Sequence, residues 1–232
     1  MDPMTKYNKN ESPCRLLQFM QYLFLKIVLT MRINENVLIE GSRVVFVPYK
    51  EHHVFRYNDW MQSEVLQQLT ASEPLTLAEE YEMQKSWHLD EKKCTFILLE
   101  KDKWQTPECP ETDCMCGDVN LYCIDSDDDV HTAEIEIMIA DMSCRRKGIG
   151  QEALLLMMQF GVTKLQMCRF VAKIGLQNEP SLALFKRLGF QEESVSEVFQ
   201  EMTLHLDITE DVRSELNTKT IHMECKVYEP KR

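Results

Sequence analysis

The spacing of apolar and polar positions changes several times along the chain, and each change marks an element. Residues 43–48 (Arg-Val-Val-Phe-Val-Pro) form a short β-branched run suited to a buried strand. Helical spacing follows over 51–67 and again over 76–87. The second helix has a start signal, because Pro74 precedes it and Thr76 stands three residues ahead of Glu79 as a capping box. Strands are predicted at 94–100 and 118–124, around a long loop rich in Pro, Cys and acid. Another strand covers 133–140, and 148–165 is apolar all round, as a buried helix should be. A strand at 169–175, a short helix at 180–188 with Pro180 in its first turn, and strand segments at Phe190 and 198–206 complete the pattern. The order β-α-α-β-β-β-α-β-α-β-β predicts an α/β (α+β) fold, one domain around a mixed central sheet.

The two ends differ from this core. Residues 16–29 are apolar, but Gln18, Gln21 and Lys26 interrupt them, and a membrane span needs about 20 residues. Arg15 precedes the run, yet no small-residue cleavage site follows it. Residues 1–30 are therefore expected to be an extension outside the fold, with a weak interfacial helix as the alternative. Residues 209–232 carry five acids, five bases and few large apolar side chains, which predicts a mobile tail. The domain itself is placed at 31–208.

Charge and composition then exclude several classes. The 232 residues hold 38 acids and 26 bases, a net charge of −12, and an acidic balance argues against nucleic acid as a partner. Seven Gly and eight Pro exclude collagen-like and low-complexity chains. Nine cysteines, an odd number in a chain of this length, do not suit a secreted disulfide scaffold, so reduced thiols and a cytoplasmic location are expected. Cys109, Cys114, Cys116 and Cys123, with His131 nearby, raise the question of zinc. Their spacing does not repeat a two-residue knuckle, and no metal is expected. Residues 108–129 hold eight acids and no Lys or Arg. A solvated loop is the expected reading, and attraction of a positively charged substrate terminus is the alternative.

Candidate chemistry concentrates after the strand at 133–140. Arg145-Arg-Lys-Gly-Ile-Gly150 is a basic turn with two glycines that opens the apolar helix. The first turn of a helix has unpaired N–H groups and the positive end of the dipole, so this is an anion site. Gln151 and Glu152 follow Gly150 where a Walker loop requires Lys-Ser/Thr, and the dinucleotide glycine spacing is absent.

Arg145-x-x-Gly148-x-Gly150 resembles instead the pyrophosphate loop of the GNAT N-acetyltransferases. Asn178-Glu-Pro-Ser181-Leu-Ala-Leu184-Phe185-Lys-Arg-Leu-Gly189-Phe190 resembles that family's second motif, and the order of elements over 31–208 matches the family's. Short stretches such as Gly117-Asp-Val-Asn-Leu121 and Phe199-Gln-Glu are similar to the branch typified by the bacterial ribosomal-protein acetyltransferases.

The resemblance implies acetyl-coenzyme A as co-substrate, with its pantetheine arm in a gap between the fourth and fifth strands. It also implies transfer to a protein N-terminal amine, with α- and β-tubulin chains as suggested substrates. Backbone groups of Met138, Ile139 and Ala140 are implied to pair with the cofactor. Arg145, Arg146, Lys147, Gly148, Ile149 and Gly150 are implied to hold its phosphates, and Asn178 and Ser181 to contact the pantetheine. Phe185 stands where many members have a tyrosine whose hydroxyl protonates the leaving thiolate, so the thiolate must leave without it.

Strand alternation puts Glu134, Glu136 and Met138 on one face and Ile135, Ile137 and Ile139 on the other. Two carboxylates two residues apart raise each other's pKa when partly buried, which suits a base that accepts a proton from an amine. Glu134 is the preferred base, also by its position relative to the family's glutamate, and Glu136 the second choice. The loop at 66–73 and the hairpin at 191–197 are implied to shape the acceptor groove. An acetyltransferase for small amines or lysine side chains, and a non-catalytic acetyl-coenzyme A-binding scaffold, remain as alternatives.

Overall fold

The computed structural model describes residues 33–124 and 131–231. The expected extension at 1–30 and the aspartates 127–129 lie outside the described residues. Described strands run β1 (Val37–Glu40), β2 (Val44–Pro48), β3 (Lys93–Glu100), β4 (Met115–Ile124), β5 (Thr132–Ile139), β6 (Arg169–Gly175), β7 (Gln191–Ser196), β8 (Glu201–Asp207) and β9 (Glu224–Val227). They make one mixed sheet in the order β7-β8-β6-β5-β4-β3-β2-β1-β9. Every neighbouring pair is antiparallel except β5 and β6.

The predicted helix at 51–67 divides into a 3-10 turn (Glu51–His53), α1 (Val54–Met61) and α2 (Glu64–Thr70). Ala71 closes α2 in the left-handed region, at φ 49°. The helix α3 (Leu77–Leu89) starts as its sequence signal requires: Thr76 and Glu79 exchange the two capping-box hydrogen bonds. The expected long loop contains two short helices, α4 (Lys101–Trp104) and α5 (Glu111–Cys114). They are followed by α6 (Ile149–Lys164), α7 (Glu179–Arg187) and α8 (Glu210–Lys219).

Helices cover both faces of the sheet, so its central strands are apolar on both sides. On one face, Phe46, Phe96, Leu98, Val119 and Leu121 meet Leu154, Met157 and Phe160 of α6. Gly161 permits this approach, since a Cβ there would lie 3.0 Å from both Leu121 and Phe170. On the other face, Val45, Val47, Ile97 and Leu99 pack beneath Val54, Tyr57 and Trp60 of α1.

Residues 209–227 are not the expected mobile tail. Thr209 caps α8, Leu216 is buried against the α6 core, and β9 extends the sheet by pairing with β1 from Val37↔Val227 to Glu40↔Glu224. Tyr228, 6% exposed, then donates a 2.6 Å hydrogen bond to Glu111. Each of these pieces carries too few apolar residues to stand out in the sequence, and each is held by distant contacts: Gln159 with Asn217 of α8 is 58 positions apart and Glu111 with Tyr228 is 117. The strand β1, Val-Leu-Ile-Glu, is apolar but only four residues long, too short for a pattern to show.

Candidate active site

The site is built on a pair of strands that separate. β5 and β6 pair only at Thr132↔Arg169, Ala133↔Phe170 and Glu134↔Val171. Beyond that point β6 stays with β8 as far as Gly175↔Glu201, and β5 stays with β4 as far as Gly117↔Ile139. Residues 135–139 consequently have one edge without a strand partner among the described residues. Gly150, Ile137, Ile139 and Leu184 meet at this opening: a Cβ at position 150 would lie 3.5–4.0 Å from those three side chains. A thin, largely apolar arm with a few amide groups fits such a slot, with the open strand edge to pair with it.

The far end of β5 is fixed by a bulge. The β3–β4 register skips Cys116, and the carbonyl of Cys116 accepts both Ala140 N–H (2.9 Å) and Asp141 N–H (3.2 Å). Gly117 is required here, because a Cβ would fall 1.9 Å from the Met138 carbonyl oxygen. Of the three backbone positions implied to hold the cofactor, Ala140 has its N–H committed to this bulge. The carbonyl of Ile139 accepts from Arg145 Nε at 2.9 Å. Met138 lies opposite Asp118 in the β4–β5 register.

The basic turn follows directly. Arg146 (φ 61°) and Gly148 (φ 82°) both adopt left-handed backbone, and Gly148 is the N-cap of α6. Arg146, Lys147 and Gly148 are exposed, whereas the Ile149 side chain is in the core. Lys147 is tied to Glu100 at 2.7 Å, and that contact, helped by Lys103, holds the Glu100 carboxyl below the usual range. Sequence reasoning missed Arg43, whose guanidinium flanks Gly148, with its Nε 3.5 Å from where a Cβ would sit. Its backbone N–H donates to Glu152 of α6 at 2.7 Å, which brings the β1–β2 turn up to the helix start. Only a contact between residues 109 positions apart reveals it.

The residues of the second motif divide. Asn178 Oδ1 caps α7 by accepting from Ser181 N–H at 3.3 Å. Phe185 is 2% exposed and packs edge-to-face on Phe190, 5.0 Å between centroids. The structure thus puts Phe185 in the core instead of presenting it at the opening, since Leu184 is the α7 residue beside Gly150.

On the opposite face of β5 the predicted alternation holds: Ile135, Ile137 and Ile139 face the α6 core, and Met138 faces the α1 core. Glu134 and Glu136 occupy different surroundings. Glu134 is in contact with Lys173 of β6 at 2.7 Å, just where the strands begin to part. Burial raises the Glu136 pKa, with Lys93 and Lys173 opposing the rise and Glu134 adding to it. Its side chain keeps 49% exposure, with Lys93 3.9 Å away, so it still meets water. His131 lies before the paired end of the strands, where its carbonyl accepts from Cys168 and Arg169.

A buried carboxylate that sequence reasoning did not single out lies beside these two. Asp118 of β4 is 3% exposed, and Oδ2 accepts from Asn120 Nδ2 at 2.7 Å. Asn120 stands opposite Glu136 and accepts from Thr95 Oγ1 at 2.5 Å. Burial pushes the Asp118 carboxyl up to about 7, with Glu136 adding to the rise and Asn120 and Lys93 opposing it. Period-2 alternation from Asp118 to Asn120 was the available signal, since two polar residues face inward on a strand that is otherwise core.

The cysteine group does not assemble. Cys109 and Cys114 touch, with sulfurs 3.4 Å apart, while Cys123 is opposite Ala133 near the other end of β4. Among the described residues, three metal-type donors come together only at His52, His53 and Glu111. There His53 Nδ1 accepts from Lys50 N–H, so Nε2 carries the proton and donates to Glu111 at 2.7 Å. That geometry is a hydrogen-bonded hub around one carboxylate, with the ring nitrogen facing it already protonated.

A separated parallel pair, with a glycine turn opening the helix between its strands, defines the molecule as a mixed-sheet protein with a slot for a thin, anion-ended ligand. Residues 43–191 match the family described as "Acetyltransferase (GNAT) domain", and the chain belongs to this family. It is 52% identical over 200 residues to the human protein named Alpha/beta-tubulin-N-acetyltransferase 9, covering 85% of this chain and 96% of that one. It is 56% identical over 177 residues to an N-acetyltransferase 9-like protein of Nematostella vectensis, covering 76% and 89%. Among solved structures, RimL, a ribosomal L7/L12 α-N-protein acetyltransferase in complex with coenzyme A, shares the fold with a TM-score of 0.60. Its identity is 16%, over 74% of this chain and 98% of that one. No helix among the described residues is long and apolar enough to cross a membrane.

Proposed function

We propose that this acetyltransferase transfers acetyl from acetyl-coenzyme A directly to the N-terminal α-amine of a protein chain, with α- and β-tubulin as the suggested substrates. The observation that carries the reaction is the unpaired edge of β5 beside the glycine turn, with carboxylates on the other side of the same strand. Tubulin as substrate rests on the 52% identity to the human relative that bears that name. A cytoplasmic location suits a chain with an odd number of cysteines, nine in 232 residues.

The thioester supplies an activated acyl group, and the residues do the rest. The edge of β5 and the apolar wall of Ile137, Ile139, Gly150 and Leu184 align the pantetheine. The N-terminus of α6, with Arg146 and Arg43 near it, receives the phosphates. Glu136 is the better-placed base, since it meets water and has a raised pKa, whereas Glu134 is held by Lys173. It takes a proton from the ammonium so that the neutral amine can attack. Holding amine and thioester in contact supplies much of the acceleration. The thiolate departs without a tyrosine, since Phe185 has no proton to donate; a free thiol pKa of about 8.5 makes this tolerable.

The test is acetyl-coenzyme A consumption with mass-spectrometric mapping, on peptides that begin with tubulin N-termini and on controls with a blocked terminus and a free lysine. Acetylation of the α-amine alone is the expected result. Turnover on lysine alone, or none while coenzyme A still binds, overturns the reading.

A further inference from the structure

The face of the sheet that carries Glu136 also holds a buried polar cluster with no part in cofactor binding. Asp118 Oδ1, Tyr49 Oη and Glu80 Oε1 are each buried without a hydrogen-bond partner. They come from three elements: β4, the residue after β2, and α3. Burial raises the Tyr49 hydroxyl pKa, and Glu80 and then Asp118 add to the rise. Tyr57 of α1 is raised as well, by burial first and by Asp118, Tyr49, Glu80 and Glu136 in turn. Buried oxygens without partners are costly, so their grouping behind a catalytic strand calls for a function.

We propose that Asp118 is the positioning residue that stores the proton taken from the acceptor amine, receiving it by way of Glu136. The inference rests on the reading of the protein as an amine acetyltransferase. Asp118 and Glu136 are diagonal neighbours on one face, Asp118 opposite Met138 and Asn120 opposite Glu136, a gap of about 7–8 Å that a bridging water spans. Asn120 fixes the orientation: it holds Oδ2 and leaves Oδ1 open to a proton. The other charged or titratable groups on this side of Asp118 are Lys93 from β3, which acts on it directly, and Tyr49, Tyr57 and Glu80 of the same cluster.

The proton balance is simple. The acceptor enters as R–NH3+, and its first proton passes to Glu136 and on, through a bridging water, to the Asp118 carboxylate. The neutral amine adds to the thioester carbonyl, the C–S bond breaks, and the second nitrogen proton leaves with the coenzyme thiolate as thiol. Asp118 returns its proton to solvent before the next cycle. A group with a pKa of about 7 can accept and release a proton near neutrality, which an ordinary aspartate does poorly.

The experiment is Asp118→Asn, which keeps the oxygen that Asn120 needs. We expect kcat to fall at least 30-fold, with peptide KM and coenzyme A affinity within threefold of wild type. The rise of kcat near pH 7 should vanish, leaving only a more acidic limb from Glu136. A kcat within threefold, or an unchanged limb, overturns the proposal. A second measurement needs no variant and no turnover: a carboxyl carbon-13 NMR titration of the full chain. Asp118 is expected to titrate near 7, and titration below 5 overturns the proposal. An inactive wild type in which Asp118 does titrate near 7 would count against the acetyl-transfer reading and, with it, against the proton's origin in an amine.

Discussion

Lys173 Nζ lies 2.7 Å from Glu134 Oε2, and the contact joins β5 to β6 at the last register pair before the strands part. The two carboxylates on this face of β5 are therefore unequal. Glu134 helps to hold the mouth of the opening, and Glu136, with Lys93 no nearer than 3.9 Å, is left to take the acceptor's proton. Glu136→Gln is expected to lower kcat about 100-fold or more, and Glu134→Gln less than tenfold, in steady-state assays at saturating peptide. The reverse order would return the base to Glu134.

Phe185→Tyr tests whether the missing hydroxyl matters. Phe185 is sealed against Phe190, so a hydroxyl there enters a core without a partner. Denaturant unfolding should show a loss of about 1–3 kcal/mol, and kcat should not rise.

Arg43→Ala should weaken coenzyme A binding about fivefold, as expected for one partly solvated charge-assisted contact worth roughly 1 kcal/mol. Calorimetric titration at two salt concentrations checks this. A mutant as tight as wild type, with the same salt dependence, would remove Arg43 from the phosphate site.

The Glu111 hub gives the fold an acid limit. His53, His52, Tyr228 and the Lys231 backbone N–H all donate to its carboxylate, which is held well below the ordinary 4.5 despite burial. A depressed carboxyl contributes stability that is fully present above its unfolded pKa and is lost as pH falls towards the folded one. His53 acts in the same direction: burial lowers its pKa below 6.5, so the unfolded chain binds the proton more readily. Thermal unfolding should thus become easier in steps as pH drops below about 6.5 and again below about 4.5. Tyr228→Phe, which removes one hydrogen bond to a buried charge, should cost about 2 kcal/mol at pH 7.

Deleting residues 209–232 should leave the protein insoluble or unfolded, because Leu216 and Tyr228 are core residues and β9 covers the edge of β1. Circular dichroism and size-exclusion chromatography would show it. A truncated chain that remains folded and monomeric would restore the view of this segment as a tail.

Local signals in this chain were strong wherever one element could be recognised from its own residues. The alternation in β5, the all-round apolar helix α6, the capping box at Thr76 and Glu79, and the glycine turn at 148–150 are each written within about a dozen positions, because period and backbone preference are local properties. That is why the fold class and the phosphate turn could be read in the sequence. Which carboxylate is engaged by Lys173, what holds the polar pair on β4, and that Arg43 joins the turn depend on contacts between residues 25 to 109 positions apart. The same holds for β1 and β9, two strands of four residues, too short to be read from their own pattern, that pair with each other to complete the sheet. Sequence patterning determined which surfaces must be covered; only the packed structure decided which distant segment covers them, because burial and electrostatic pairing are set by neighbours in space.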